Sequence, residues 1–178
     1  EDSWTGNKKI TAPKDTKAIY CSAPWKGITV RENGDVKTCC AGHTPLGNLN
    51  KDDIDTILSG DQLSEIRSTL SAGELHENCK ACYEPEKNGN NQTLRQHYQT
   101  HYPYSNEDHE LNFLDIRWNN KCNLSCQYCV PSLSSAWEKQ LGIRSGSARK
   151  NYQDSLLEWI LEKRTSVKLI LLLPNLKI

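Results

Sequence analysis

Cys122-Asn-Leu-Ser-Cys126-Gln-Tyr-Cys129 places three thiols in one short loop, separated by three residues and then by two. Thiolates bind zinc or iron–sulfur clusters, and spacing is the first guide between the two. An iron–sulfur cube has four irons, and the usual ferredoxin arrangement gives each a thiolate. Three thiolates close together wrap one corner of a cube and leave the fourth iron open to a chelating ligand with amino and carboxylate groups. Zinc sites pair one Cys-x-x-Cys with another or with histidines. The zinc reading of this loop therefore requires a distant fourth ligand such as a histidine.

Other chemistry is poorly represented. His43, His76, His97, His101 and His109 lie in polar, loop-like surroundings and read as solvated, although His76 is near Cys79. The acidic residues between Asp52 and Glu65 read as helix caps and exposed faces. No Ser-His-Asp arrangement and no phosphate-binding glycine loop is present. With 22 basic and 22 acidic residues and no charge block, electrostatics gives no reason to expect nucleic acid or an anionic membrane as partner. Eight cysteines would suit a secreted disulfide scaffold. Their metal-like spacing and the lack of an export signal favour a reducing cytoplasm instead. At 178 residues with 36% hydrophobic content, the core is modest, so metal clusters are expected to help hold it together.

The elements that must position these cysteines follow from local pattern, and an α+β fold is expected. Residues 1–18 read as an extended leader. Ile28 to Thr38 reads as a hairpin around Asn33-Gly34, delivering Cys39 and Cys40 at the end of its second strand. Residues 52–70 read as a helix in two pieces broken at Ser59-Gly60, with Asp61 as cap and Gly73 as stop. Cys79-Lys-Ala-Cys82 follows, and a polar connection with one short helix spans 87–110. The second unit, 111–178, starts with a β-prone run through Phe113, Ile116 and Trp118, directly before the cysteine loop. Helices are expected over 133–141 and 152–163, and a buried strand over 167–173, completing a βαβ unit. Trp25 and Trp118 read as core aromatics. The one long apolar run, Val167 to Leu173, is too short to span a bilayer.

The segment from Phe113 to Cys129 resembles the signature loop of the radical S-adenosylmethionine enzymes, including the preceding strand and the aromatic Tyr128 before the third cysteine. The resemblance implies a [4Fe–4S] cluster on Cys122, Cys126 and Cys129, with Tyr128 and Asn123 as contacts to S-adenosylmethionine. The reduced cluster then cleaves that cofactor to a 5′-deoxyadenosyl radical, which abstracts hydrogen from a peptide, protein or small-molecule substrate. It also implies a reductant such as flavodoxin or ferredoxin. Residues 19–86 resemble the auxiliary-cluster module called SPASM, or twitch in its shortened form. That resemblance implies a second cluster on Cys21, Cys39, Cys79 and Cys82, which would suit electron transfer. Cys40 is spare, because adjacent strand residues face opposite sides, or it takes the place of Cys39. A structural zinc on the same four thiolates is the other reading, since a hairpin plus Cys-x-x-Cys makes a zinc ribbon.

The radical family's core is a partial barrel of about six βα units with a Gly-Gly-Glu segment after its second strand. Here Pro174-Asn-Leu-Lys-Ile178 occupies that position and the barrel would stop at its second strand. No methionine occurs, even at position 1. On those grounds the sequence is expected to be a shortened radical enzyme with little or no turnover. A non-catalytic iron–sulfur electron-transfer module and a zinc-stabilised interaction domain are the alternatives.

Overall fold

A computed structural model describes residues 21–103, 111–143, 152–162 and 168–171. The expected leader, His109 and the segment 174–178 lie outside the described residues. Five strands, β1 (Gly27–Val30), β2 (Asp35–Lys37), β3 (Gly47–Asn48), β4 (Phe113–Ile116) and β5 (Lys168–Leu171), form one mixed sheet in the order β3-β2-β1-β4-β5. The described residues also form seven α-helices, α1 (Ala23–Lys26), α2 (Ile54–Ser59), α3 (Asp61–Ser71), α4 (Lys80–Lys87), α5 (Leu94–His101), α6 (Ser135–Leu141) and α7 (Tyr152–Glu162). The fold is mixed α+β, as the sequence pattern implies. Among the described residues no helix is long and apolar enough to cross a membrane.

The expected hairpin forms as β1 and β2, paired antiparallel with Val30 opposite Val36. Its loop is Glu32-Asn33-Gly34, closed by the Gly34 N–H donating to the Arg31 carbonyl at 2.9 Å and the Arg31 N–H donating to the Asp35 carbonyl at 2.8 Å. Gly34 takes φ 89°, which a side chain would strain, while the Asn33 side chain accepts from the Asp35 N–H at 3.0 Å. The turn is thus one residue longer than a two-residue Asn-Gly turn, and only its last position needs a glycine.

The seam between the two sequence units is the centre of the sheet. β1 pairs in parallel with β4, Ile28 beside Leu114 and Val30 beside Ile116, and β4 pairs in parallel with β5. Side chains alternate along a strand. Ile28, Val30, Val36, Leu114 and Ile116, all at most 1% exposed, therefore share one face, and burying each stabilises the fold by roughly 1.5–3 kcal/mol. On the opposite face the Thr29 hydroxyl reaches the buried Asp115 carboxylate at 3.4 Å. At the start of the seam Gly27 leaves room for Phe113, whose ring carbon would lie 2.3 Å from any Cβ placed there. That ring packs edge-on against Tyr98 of α5, with centroids 5.3 Å apart.

Several boundaries differ from expectation for local reasons. Gly60, not Asp61, is the N-cap of α3, and Asp53 caps α2 by accepting from the Thr56 N–H. After α3, Gly73 (φ 76°) is the expected stop. In its described part the polar connection over 87–110 carries one short helix, α5, as the sequence implies. The residues from Lys80 to Lys87 are helical, and α5 follows behind a Thr93–Gln96 capping box. Glu86 and Arg95 join the two by a two-pronged ion pair, with Arg95 Nε 2.9 Å from each Glu86 oxygen. On the far side, Pro131–Leu133 is a 3₁₀ turn, and α6 begins only at Ser135.

Candidate metal centres

Cys21 lies just ahead of Ser22, the N-cap of α1, and Cys39 lies in the turn after β2, since the strand ends at Lys37. Cys79 closes a short 3₁₀ turn (Glu77–Cys79), and Cys82 sits one turn into α4. The Cys-x-x-Cys spacing is three residues, which on a helical turn puts both sulfurs on one side. One cavity brings the four together: Cys21, Cys39, Cys79 and Cys82 line it with Ala23, Asn78, Leu94 and Tyr98 among their neighbours. Cys40 is exposed and is not among the lining residues. Its thiol responds, after burial, to Asp115 and Arg117, whereas that of Cys39 responds to Cys40, Cys82 and Cys79.

The turn that presents Cys79 is built by two polar residues, Asn78 and the His76 that reads from the sequence as solvated. His76 accepts the Asn78 N–H on its ring Nδ1 at 3.1 Å, so this histidine caps the turn. Buried Asn78 accepts the Thr44 N–H at 2.6 Å, which ties the Cys39 loop to the Cys79 turn. Its signal in the sequence was only its position, one residue before Cys79.

Burial raises all four thiols. It pushes Cys39 up to about 12 and Cys79 up to about 11 from the ordinary 9.0, and raises Cys21 and Cys82 as well. Without a metal the thiols are therefore neutral, and iron or zinc must displace their protons on binding. This gives a stability test on metal-free protein. The folded-state values lie above the unfolded ones, so the stabilisation is full below pH 9 and is lost as pH rises through 11 to 12. Chemical denaturation is expected to show that loss in the metal-free parent. A variant with serine at Cys39 and Cys79 is expected to lose less over the same range.

The donor set fits an iron–sulfur cluster: four soft thiols, mostly buried, on the wall of one cavity. A zinc ion needs its ligands to converge on one point, with sulfurs at about 2.3 Å. Among the described residues no three of His, Cys, Asp and Glu are arranged as a single-ion site.

Cys122, Cys126 and Cys129 lie together in the second loop, directly after β4, and all three are partly exposed. The start of α6 clasps this loop. The Ser134 hydroxyl, fully buried, donates to the Leu124 carbonyl at 2.7 Å and caps the helix by accepting the Trp137 N–H. The Ser135 hydroxyl accepts the Cys122 N–H at 3.0 Å, and the Trp137 indole donates to the Cys126 carbonyl at 2.9 Å. Tyr128 is 91% exposed and its phenol is raised by a side-chain hydrogen bond with Cys126, and Asn123 is also exposed. Ser134→Ala removes both the cap and the clasp, an expected loss of about 1–2 kcal/mol. Iron bound by this loop should fall with it, as metal analysis of the purified variant would show. Of the histidines, His43 and His101 are exposed, and His97 stacks on His101 at 4.2 Å between centroids.

Two groups of cysteines thus stand out, the four that line one cavity and the three of the loop after β4. Residues 21–83 match the SPASM family, described as an iron-sulfur cluster-binding domain. That match covers the four cavity cysteines and supports iron–sulfur binding there. No curated protein and no solved structure matches the chain.

Proposed function

We propose that this protein is a radical S-adenosylmethionine iron–sulfur protein with two clusters. Cys21, Cys39, Cys79 and Cys82 hold a fully ligated auxiliary cluster, and Cys122, Cys126 and Cys129 hold a cluster with one open iron. The observation that carries the reading is the pairing of a four-thiol cavity in the SPASM-matching region with a Cys-x₃-Cys-x₂-Cys loop at the end of the adjoining parallel strand. SPASM domains occur in radical S-adenosylmethionine enzymes, which supports reading the two together.

A cluster held by Cys122, Cys126 and Cys129 would supply the electron for reductive cleavage of S-adenosylmethionine to a hydrogen-abstracting radical. The chain's own residues supply the frame. β4 sets where the loop starts, and Ser134, Ser135 and Trp137 hold its backbone. Tyr128 and Asn123 are exposed beside them, available to a ligand. β4, α6, α7 and β5 in this reading are the first βα elements of a partial barrel. The substrate is a peptide, protein or small molecule, the electron donor a flavodoxin or ferredoxin, and the compartment the cytoplasm.

Anaerobic reconstitution with iron and sulfide counting tests this. About eight irons per chain are expected, falling to about four when Cys122, Cys126 and Cys129 are all replaced by alanine. Adding S-adenosylmethionine should change the electron paramagnetic resonance signal of the parent and leave that of the triple variant unaltered. Zinc without iron in the parent would overturn the proposal.

A further inference from the structure

Two side chains that line the four-cysteine cavity end in hydrogen-bond donors with no partner among the described residues. Asn78 and Tyr98 both line it, and they are 3% and 2% exposed. The Asn78 amide nitrogen and the Tyr98 hydroxyl are among the few buried side-chain polar atoms that lack a partner in the described residues. Buried polar groups are otherwise nearly always hydrogen-bonded, so orphans of this kind call for an explanation.

The orientation of Asn78 is fixed. Its Oδ1 accepts the Thr44 N–H at 2.6 Å, so the unpaired end must be the amide nitrogen, which can only donate. That nitrogen lies at the Cys39 turn. A Cβ placed on Gly42 would sit 3.4 Å from it and 3.3 Å from the Cys39 carbonyl. Tyr98 is held by its ring, edge-on to Phe113 and 6.0 Å from Tyr102 between centroids. Its phenol is protonated at neutral pH and therefore a donor.

We propose that the Tyr98 hydroxyl and the Asn78 side-chain amide donate hydrogen bonds to sulfur of the cluster held by Cys21, Cys39, Cys79 and Cys82, and so set its reduction potential. The inference rests on the proposed iron–sulfur occupancy of that cavity. Hydrogen bonds to cluster sulfurs tune the potential. The positive end of an O–H or N–H dipole stabilises the extra electron of the reduced cluster, so each donor raises the potential. Both residues are positioning residues, because neither is itself a ligand.

The test uses the full chain with Cys122, Cys126 and Cys129 replaced by alanine, so that only the four-cysteine site is observed. Tyr98→Phe keeps the packed ring and removes the donor. Asn78→Asp keeps the acceptor for Thr44 and removes the amide. Both are expected to retain about four irons and to show a midpoint potential shifted downward in an electron paramagnetic resonance titration. Pulsed spectra of the reduced cluster in heavy water should show an exchangeable proton coupling that Tyr98→Phe abolishes. Tyr102→Phe, a phenol in the same aromatic group but off the cavity wall, should leave the potential unmoved.

If the Tyr98 hydroxyl serves the Asp115 carboxylate instead, Tyr98→Phe will leave both the potential and the coupling unchanged. Iron retained with an unmoved potential in both variants overturns this inference alone. No iron in the starting protein overturns the iron–sulfur reading and the inference with it. Should Tyr98→Phe fail to fold, the potential of Asn78→Asp decides.

Discussion

Replacing Cys79 and Cys82 together by serine is expected to remove about four irons per chain and to destabilise the protein sharply. Both thiols face the cavity, and both come from the junction of the 3₁₀ turn and α4. Serine fills nearly the same space, so the variant tests ligation more than packing. A ligand that binds only the folded state at a thousand times its dissociation constant stabilises by about 4 kcal/mol. For a chain of this size that corresponds to a melting temperature lower by roughly 8–16 °C. The loss should appear only when the parent is loaded, and the metal-free parent and variant should melt close together. An unchanged iron count in the variant would remove Cys79 and Cys82 from the site.

Leu114→Ala is expected to have the next largest effect. Leu114 is 1% exposed on β4, beside Ile28 of β1 and Leu169 of β5. Truncating it leaves a cavity in a sheet whose neighbours cannot close, at a cost of about 2–5 kcal/mol. The same strand ends where the Cys122 loop begins, and β1 begins just after Cys21 and α1. Iron should therefore fall at both centres, with denaturant midpoint and iron content dropping together. Leu141→Ala, at a position 52% exposed, should stay within about 0.5 kcal/mol of the parent. If Leu114→Ala kept full stability, the central position of β4 would be wrong.

The parts of this fold that could be read from sequence are those with short-range causes. The Asn33-Gly34 turn, the break at Gly60, the helix over α7 and the strand before the cysteine loop all follow from neighbouring residues. The parallel pairing of β4 with β5 follows from the order strand, helices, strand. What could not be read depends on partners far along the chain. Nothing in the polar run after Cys82 announces that Tyr98 is buried, because its burial is decided by Phe113 and the cysteine cavity. The roles of His76 and Asn78 depend on the Cys39 loop folding back over the Cys79 turn. That β1 lies beside β4 is equally invisible locally, although it joins the two sequence units into one sheet. The cysteine spacings made each loop recognisable, but only the folded chain gathers Cys21, Cys39, Cys79 and Cys82 around one cavity and leaves Cys40 outside.

The β1–β4 seam also bears on the order of folding. Thr29 and Asp115 meet across it from positions 86 residues apart, whereas β1 and β2 are joined by a three-residue loop. Closing the longer loop costs more chain entropy and slows formation of the contact. The hairpin is thus expected to form early in refolding and the seam late. Leu114→Ala should then speed unfolding while leaving the folding rate nearly unchanged, a φ-value near zero. During synthesis the four cavity cysteines leave the ribosome ahead of β4. The four-thiol site is therefore the first to become available to a cluster-loading system, and the Cys122 loop must wait for the seam that holds it.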